Sequence, residues 1–136
     1  MNGTELSTFP IHLGLGASAE IEPEFTGEME WYGGYTQRHD SDGTEGRLVT
    51  MHTFDTAWDV WEMHPVGSEI VLCVRGTITL VQEIDGDEVA TTITGGEYVI
   101  NAPGVWHTAD VDDGEVEVLF ITAGLGTQHR ERSNVR

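Results

Sequence analysis

The chain has 136 residues, enough for one domain that buries roughly two thirds of the surface its unfolded form exposes. Its 24 acidic residues face six positive side chains, all arginine, for a formal net charge of −18; such a field repels phosphate backbones and anionic headgroups, which excludes nucleic acid and membrane as partners. A single cysteine, Cys73, rules out an intramolecular disulfide framework, and no window approaches the ~20 apolar residues of a spanning helix.

The N-terminal MNGTELSTFPIHLGLG has neither a basic segment nor a long apolar core, so the expectation is a soluble, cytoplasmic chain. The acidity itself reads as a solvated surface or as adaptation to high salt, where ions screen self-repulsion.

Residues 1–46 form an N-terminal arm rich in glycine and acidic residues, with FPIHL and EWYGGY as the one or two candidate strands and DSDGTEG (residues 40–46) as an exposed loop. From residue 47 to 124 the chain reads as eight short β-branched and aromatic runs: RLVTMHTF, WDVWEMHP, EIVLCVRG, TITLVQEI, EVATTIT, EYVINAP, VWHTADV and VEVLFITAG. Between them lie HPVGS, Asp85-Gly86, Gly95-Gly96, Pro103-Gly104 and Asp112-Asp113-Gly114, each suited to a tight reversal. No helical period interrupts this pattern, and short strands at regular spacing predict an all-β barrel or sandwich. Residues 125–136, ending HRERSNVR, read as a polar tail.

Chemistry concentrates in two stretches. On a strand, residues i and i+2 share a face, so Glu62 and His64 of WDVWEMHP project together while Trp61 and Met63 project oppositely. The HPVGS turn reverses the chain, and Glu69 opens the returning strand beside His64. Farther on, GEYVINAPGVWH places His107 after a glycine-rich turn, a strand and a Pro-Gly reversal. On residue types alone these groups read either as a metal site or as solvated strand-end carboxylates beside hydrogen-bonded barrel histidines. A metal-free cavity with Glu62 bonded to Arg47 or Arg75 is the third reading. Trp58, Trp61 and Trp106 flank the stretches and are read as core or rim packing. Val71 and Cys73 share the parity of Glu69 and are expected inside the barrel. His52 is a candidate extra cavity residue, whereas His12, His39 and His129 sit in segments without ligand spacing.

The two stretches resemble the paired motifs of the cupins, small barrels of the jelly-roll or double-stranded β-helix type. In the first motif, G-x5-H-x-H-x3,4-E-x6-G, the last four marked positions fall on Glu62, His64, Glu69 and Gly76, so a glutamate replaces the first histidine and Thr56 the leading glycine. In the second, G-x5-P-x-G-x2-H-x3-N, Gly96, Gly104 and His107 match, Ala102 takes the proline position with Pro103 next to it, and Val111 replaces the asparagine. The resemblance covers residues 45 to 124.

It implies a jelly-roll barrel with Glu62, His64, Glu69 and His107 as ligands of a divalent metal ion. Two histidines and two glutamates neutralise such an ion, and oxygen donors favour manganese or iron, with zinc or nickel as further candidates. The implied function is a metal-dependent enzyme acting on a small molecule, with Glu62 as a candidate base. The alternative is a metal-stabilised binding or sensor module for a small ligand. The resemblance also implies a homodimer, for which FPIHL is the segment expected to add a strand to a partner's sheet edge.

Overall fold

A computed structural model describes residues 1–133. In chain order its elements are β1 (Ile11–Gly14), β2 (Ser18–Ile21), α1 (Met29–Arg38), β3 (Arg47–Phe54), β4 (Val60–Met63), β5 (Glu69–Arg75), β6 (Thr77–Ile84), β7 (Asp87–Thr94), β8 (Tyr98–Asn101), β9 (His107–Asp110), β10 (Val116–Thr122) and β11 (Gln128–Glu131). The strands form two antiparallel sheets, ordered β2-β1-β3-β10-β5-β8 and β11-β4-β9-β6-β7. This is the expected all-β jelly-roll, and each of the eight runs read between residues 47 and 124 is a strand of it.

Side-chain alternation decides which face of each strand turns inward. On β5, Glu69, Val71 and Cys73 are buried while Ile70 and Leu72 are partly exposed; on β10, Val116, Val118 and Phe120 are buried in the same way. With Ile78, Leu80, Ile93, Val99 and Ala109 from both sheets these residues make one core, and Val71 and Cys73 lie within it as their parity predicts. The β6–β7 hairpin turns on Asp85 and Gly86, with φ of 53° and 85°. Positive φ at both positions is the turn whose twist matches that of the flanking strands.

Three local expectations are corrected. EWYGGY is not a strand: it lies inside α1, where Trp31 is buried against Phe25 and Tyr35. Packing of Trp31 on Phe25 and the bond of Tyr35 to His12 outweigh the cost of Gly33 and Gly34 in a helix interior. The segment read as a polar tail contains β11, whose Gln128–Glu131 pairs with Met63–Val60 of β4. Finally, FPIHL cannot supply a free strand edge, because β1 already pairs with β2 on one side and β3 on the other. No helix among the described residues is long and apolar enough to cross a membrane.

Candidate metal centre

The pairing of β4 with β9 sets Glu62 directly opposite His107. Glu69 arrives from the other sheet at the start of β5, and His64 follows β4 by one residue. A backbone bond ties the two sequence motifs together: the Gly104 N–H donates to the His64 carbonyl at 2.9 Å, and Gly104 adopts a φ of 81° that favours glycine. The four residues expected from the sequence therefore meet at one place, where the two sheets close on each other.

His64 Nε2 lies 3.2 Å from Glu69 Oε2 and 3.8 Å from Glu62 Oε2, while His107 Nε2 lies 3.2 Å from Glu69 Oε1. Donor atoms of Glu62, His64 and His107 all fall within 4.8 Å of one another. His64, Glu69 and His107 are buried; Glu62 is more open, with 28% of its side chain exposed.

Neighbouring hydrogen bonds decide which ring nitrogens face the centre. His107 Nδ1 sits 3.2 Å from the Val105 carbonyl, which only accepts, so Nδ1 carries the proton. His64 Nδ1 sits 2.8 Å from Thr127 Oγ1. That hydroxyl gives its one proton to the Gly124 carbonyl at 2.7 Å and so accepts from His64. In its neutral form each imidazole would then present a bare Nε2 lone pair to the Glu69 oxygens, and both Nε2 atoms are buried without a hydrogen-bond partner. Lone pairs facing carboxylate oxygens at this distance repel unless a cation lies between them. A proton or a metal ion satisfies that demand, and the donor set fits a divalent ion, with each histidine oriented through its other nitrogen as metal-bound histidines are.

Glu69 is held firmly. It accepts from Asn101 Nδ2 at 3.1 Å and from Thr122 Oγ1 at 2.6 Å; Asn101 is fixed in turn by Gln82 Nε2 at 2.8 Å. Burial disfavours the Glu69 carboxylate, but the His107 and His64 imidazoles hold its pKa well below the usual carboxylate range. Desolvation pulls His107 down, and Glu69 more than reverses this, so its pKa stands above the ordinary histidine value. Glu62 makes no hydrogen bond among the described residues and has only His64 and His129 as ionic neighbours, the latter at 3.9 Å. Arg75 pairs instead with Glu115 and Glu117, so the arginine-neutralised reading of Glu62 finds no ion pair with Arg75 or Arg47 here.

The N-terminal arm reaches the inner face of β3. Phe25 packs against His52 with ring centroids 4.9 Å apart and planes tilted by 40°, and His52 also meets Phe54 and Phe120. Burial lowers the His52 pKa, so this ring stays neutral. Tyr32 of α1 packs on Phe25; burial, and then the charge of Glu62, raise its pKa. Trp58 packs on the core, and Arg130 lies over the rings of Trp61 and Trp106, so the tryptophans serve packing as expected. Residues around the centre that sequence reasoning missed are Gln82, Asn101, Thr122 and Thr127. For the first three a signal existed, since each is a polar residue at an inward position of an otherwise apolar strand.

A second group in the arm joins His12, His39 and Asp42, with Glu22 beside them. The His12 and His39 rings are stacked 3.6 Å apart and only 15° from parallel, so no single ion can lie in both ring planes. Their nitrogens are engaged already: His12 bonds Tyr35 and Asp42, both at 2.6 Å, and His39 bonds Glu22 at 2.9 Å. The group pins α1 to β1. A surface hollow of about 340 Å³ beside Trp61, Asp110 and Arg132 contains none of the four centre residues.

No family model and no curated protein matches the chain. Among solved structures, it is similar to a cupin-2 domain protein from Shewanella frigidimarina, at 20% identity over 56% of this chain and 69% of that one, with a TM-score of 0.48. It is also similar to hydroxypropylphosphonic acid epoxidase from S. wedmorenis, at 12% identity over 56% of this chain and 42% of that one, with a TM-score of 0.48. A third structure, an oxalate oxidase, is 14% identical over 60% of this chain and 44% of its own, with a TM-score of 0.51. Identities this low speak for the fold alone, and the chain spans less than half the length of either enzyme.

Proposed function

We propose, for a chain whose barrel is that of the cupin superfamily, that Glu62, His64, Glu69 and His107 hold a divalent metal ion and that the protein is an enzyme acting on a small molecule. The observation that carries this reading is the pair of buried, unpartnered Nε2 atoms aimed at one carboxylate. Burying such groups without a cation costs several kcal/mol in order of magnitude. Manganese and iron suit a set of two imidazoles and two carboxylates best, with zinc and nickel as the next candidates. A bound ion of this kind supplies Lewis-acid polarisation of a coordinated substrate or water.

The remaining work falls to the chain's own side chains. Glu69, locked by Asn101 and Thr122, is the permanent carboxylate. Glu62, partly exposed and without a hydrogen bond, is the one ligand that could leave the ion and accept a proton from a substrate at its Oε2. Phe25, Tyr32 and His52 place an apolar, neutral wall on the arm side, which suits the uncharged part of a small substrate.

The test is metal content by elemental analysis, with thermal unfolding in the presence and absence of chelator. Wild type is expected to carry close to one ion per chain and to melt lower once stripped, because an ion that binds only the folded state stabilises it. Glu62→Gln should hold the ion more weakly, whereas Glu62→His should retain one, with preference moved toward zinc, nickel or copper. Equal metal and equal chelator sensitivity in wild type and Glu62→Gln would remove Glu62 from the ligand set. No metal after growth with manganese, iron, nickel and zinc would sink the metal reading. A small molecule that binds the loaded protein without turnover would replace the enzyme reading by the binding module.

A further inference from the structure

The inner face of the five-stranded sheet carries one polar row that crosses four strands. Register sets Gln82 of β6 opposite His107 of β9, His107 opposite Glu62 of β4, and Glu62 opposite His129 of β11. Residues directly paired on antiparallel strands share a face, so His129 belongs with the candidate centre although it lies beyond both sequence motifs. Its imidazole flanks Glu62 on the side away from His107. Glu62 Oε2 stands 3.8 Å from His64 Nε2 and 3.9 Å from His129 Nε2. Both distances are longer than a hydrogen bond, so this carboxylate rests between a buried imidazole and one whose side chain is 58% exposed.

The strand that carries His129 is fixed just after it. Arg130 projects to the opposite face, over the rings of Trp61 and Trp106, and pairs with Glu83; Arg132 bonds Asp110 and the Trp58 and Ala109 carbonyls. A clamped backbone therefore delivers the imidazole to Glu62. We propose, on the metal reading above, that His129 is a positioning residue: it receives Glu62 when that carboxylate leaves the ion, and so holds open a coordination position for an oxygen donor of the substrate. His129 is not itself one of the ligands. The donor atoms that share one point are those of Glu62, His64 and His107, and among the described residues His129 stands outside that group.

Glu62 then has two resting places. Turned inward, its Oε2 joins His64 and His107 at the centre; turned outward, it accepts a hydrogen bond from His129 Nε2. The outward turn closes a gap of about 1 Å, from 3.9 Å to an ordinary hydrogen-bond length, which rotation about the glutamate's own torsions covers. Glu69 has no such choice, because Asn101 and Thr122 hold its two oxygens. Water alone would hydrate a released Glu62 and leave it unoriented. His129 gives the released carboxylate one direction and one charge-assisted bond.

Cobalt(II) as the probe ion and azide as the probe ligand test this, with the visible spectrum of the cobalt reporting both. Wild type is expected to bind cobalt(II) and then azide, whose entry needs Glu62 in its outer place. His129→Ala should bind cobalt(II) more tightly, because the metal-free protein loses the bond that competes with the ion. The same variant should bind azide roughly tenfold more weakly, the effect of one hydrogen bond to a partly exposed charge. His129→Gln, whose amide nitrogen still donates near the place of Nε2, should bring both affinities back to within about threefold of wild type. In a Glu62→Ala background, His129→Ala should change neither, since the pair no longer exists to be broken. Circular dichroism reports that the variants fold. Two affinities that both fall in His129→Ala would make His129 a ligand or a strut, and two that stay level would leave it idle; either overturns the proposal. A wild type that takes up cobalt(II) but no azide at ~100 mM also overturns it. A wild type that takes up no cobalt(II) strikes the metal reading itself, and this inference with it.

Discussion

Within the candidate centre, single side chains divide into those that hold and those that are held. Thr127 and the Val105 carbonyl set the tautomers of His64 and His107, and Asn101 and Thr122 immobilise Glu69. Glu62 alone lacks such a restraint, which is why it is the residue assigned a moving proton. His52 gives a measurable consequence of burial. Its folded pKa lies below the ordinary histidine value, so its contribution to stability is present above that value and is lost as pH falls through the depressed folded pKa. Comparing urea midpoints at about pH 7.5 and pH 5.5, His52→Leu should lose less stability on acidification than wild type. An equal loss in the two would mean that His52 takes up its proton as readily in the fold as outside it.

Among the elements, β11 changes the picture most. It adds a fifth strand to the second sheet and carries Arg132, next to its end, into a buried position where the guanidinium donates to Asp110 Oδ1 at 2.7 Å and to the Trp58 and Ala109 carbonyls at 3.1 Å. Both partners of this ion pair are less than a tenth exposed. Removing one charge from a buried pair costs more than the pair itself contributes, since the other is left unpaired. Asp110→Ala should therefore lower stability by about 3–5 kcal/mol, read as a shift in urea midpoint, and Asp110→Asn by less, because its amide oxygen still accepts. A shift below ~1 kcal/mol for Asp110→Ala would mean that β11 is not anchored through Arg132. The turn after β5 shows the same dependence on long-range contact. Gly76 has a φ of 87°, and a Cβ there would meet the Glu115 carbonyl at 2.5 Å, so the glycine that closes the first motif answers to a strand some forty residues later.

For the whole molecule, 24 acidic side chains against six arginines, all but a few of the carboxylates exposed or partly exposed, make self-repulsion a property of the folded state that no single contact explains. Screening should relieve it. Raising sodium chloride from about 0.05 M to about 1 M is expected to move the urea midpoint upward, because the repulsion lies within each chain. A midpoint that falls or stays level would show that the acidic residues are spaced widely enough to be neutral toward folding.

The barrel was legible in strand alternation and turn residues, and the four residues at its centre through the resemblance of two stretches to the cupin motifs. Period-two alternation from Arg47 onward specifies which side chains turn inward, and the turn residues specify where each strand reverses. Parity puts Glu62 and His64 on one face, but residue types and spacing alone left a metal site and solvated strand-end carboxylates both open, and the set of four came from the resemblance to the cupin motifs. Only the tertiary structure decided what lies beyond nearest-neighbour spacing. EWYGGY became a helix because Trp31 packs on Phe25 just before it and Tyr35 reaches His12 of β1, which it meets edge-on and at 2.6 Å. Residues near the C-terminus became a strand because β4 left an edge to be paired. Local sequence encodes parity and turns; pairing between segments separated by tens of residues is decided by the closure of the barrel as a whole.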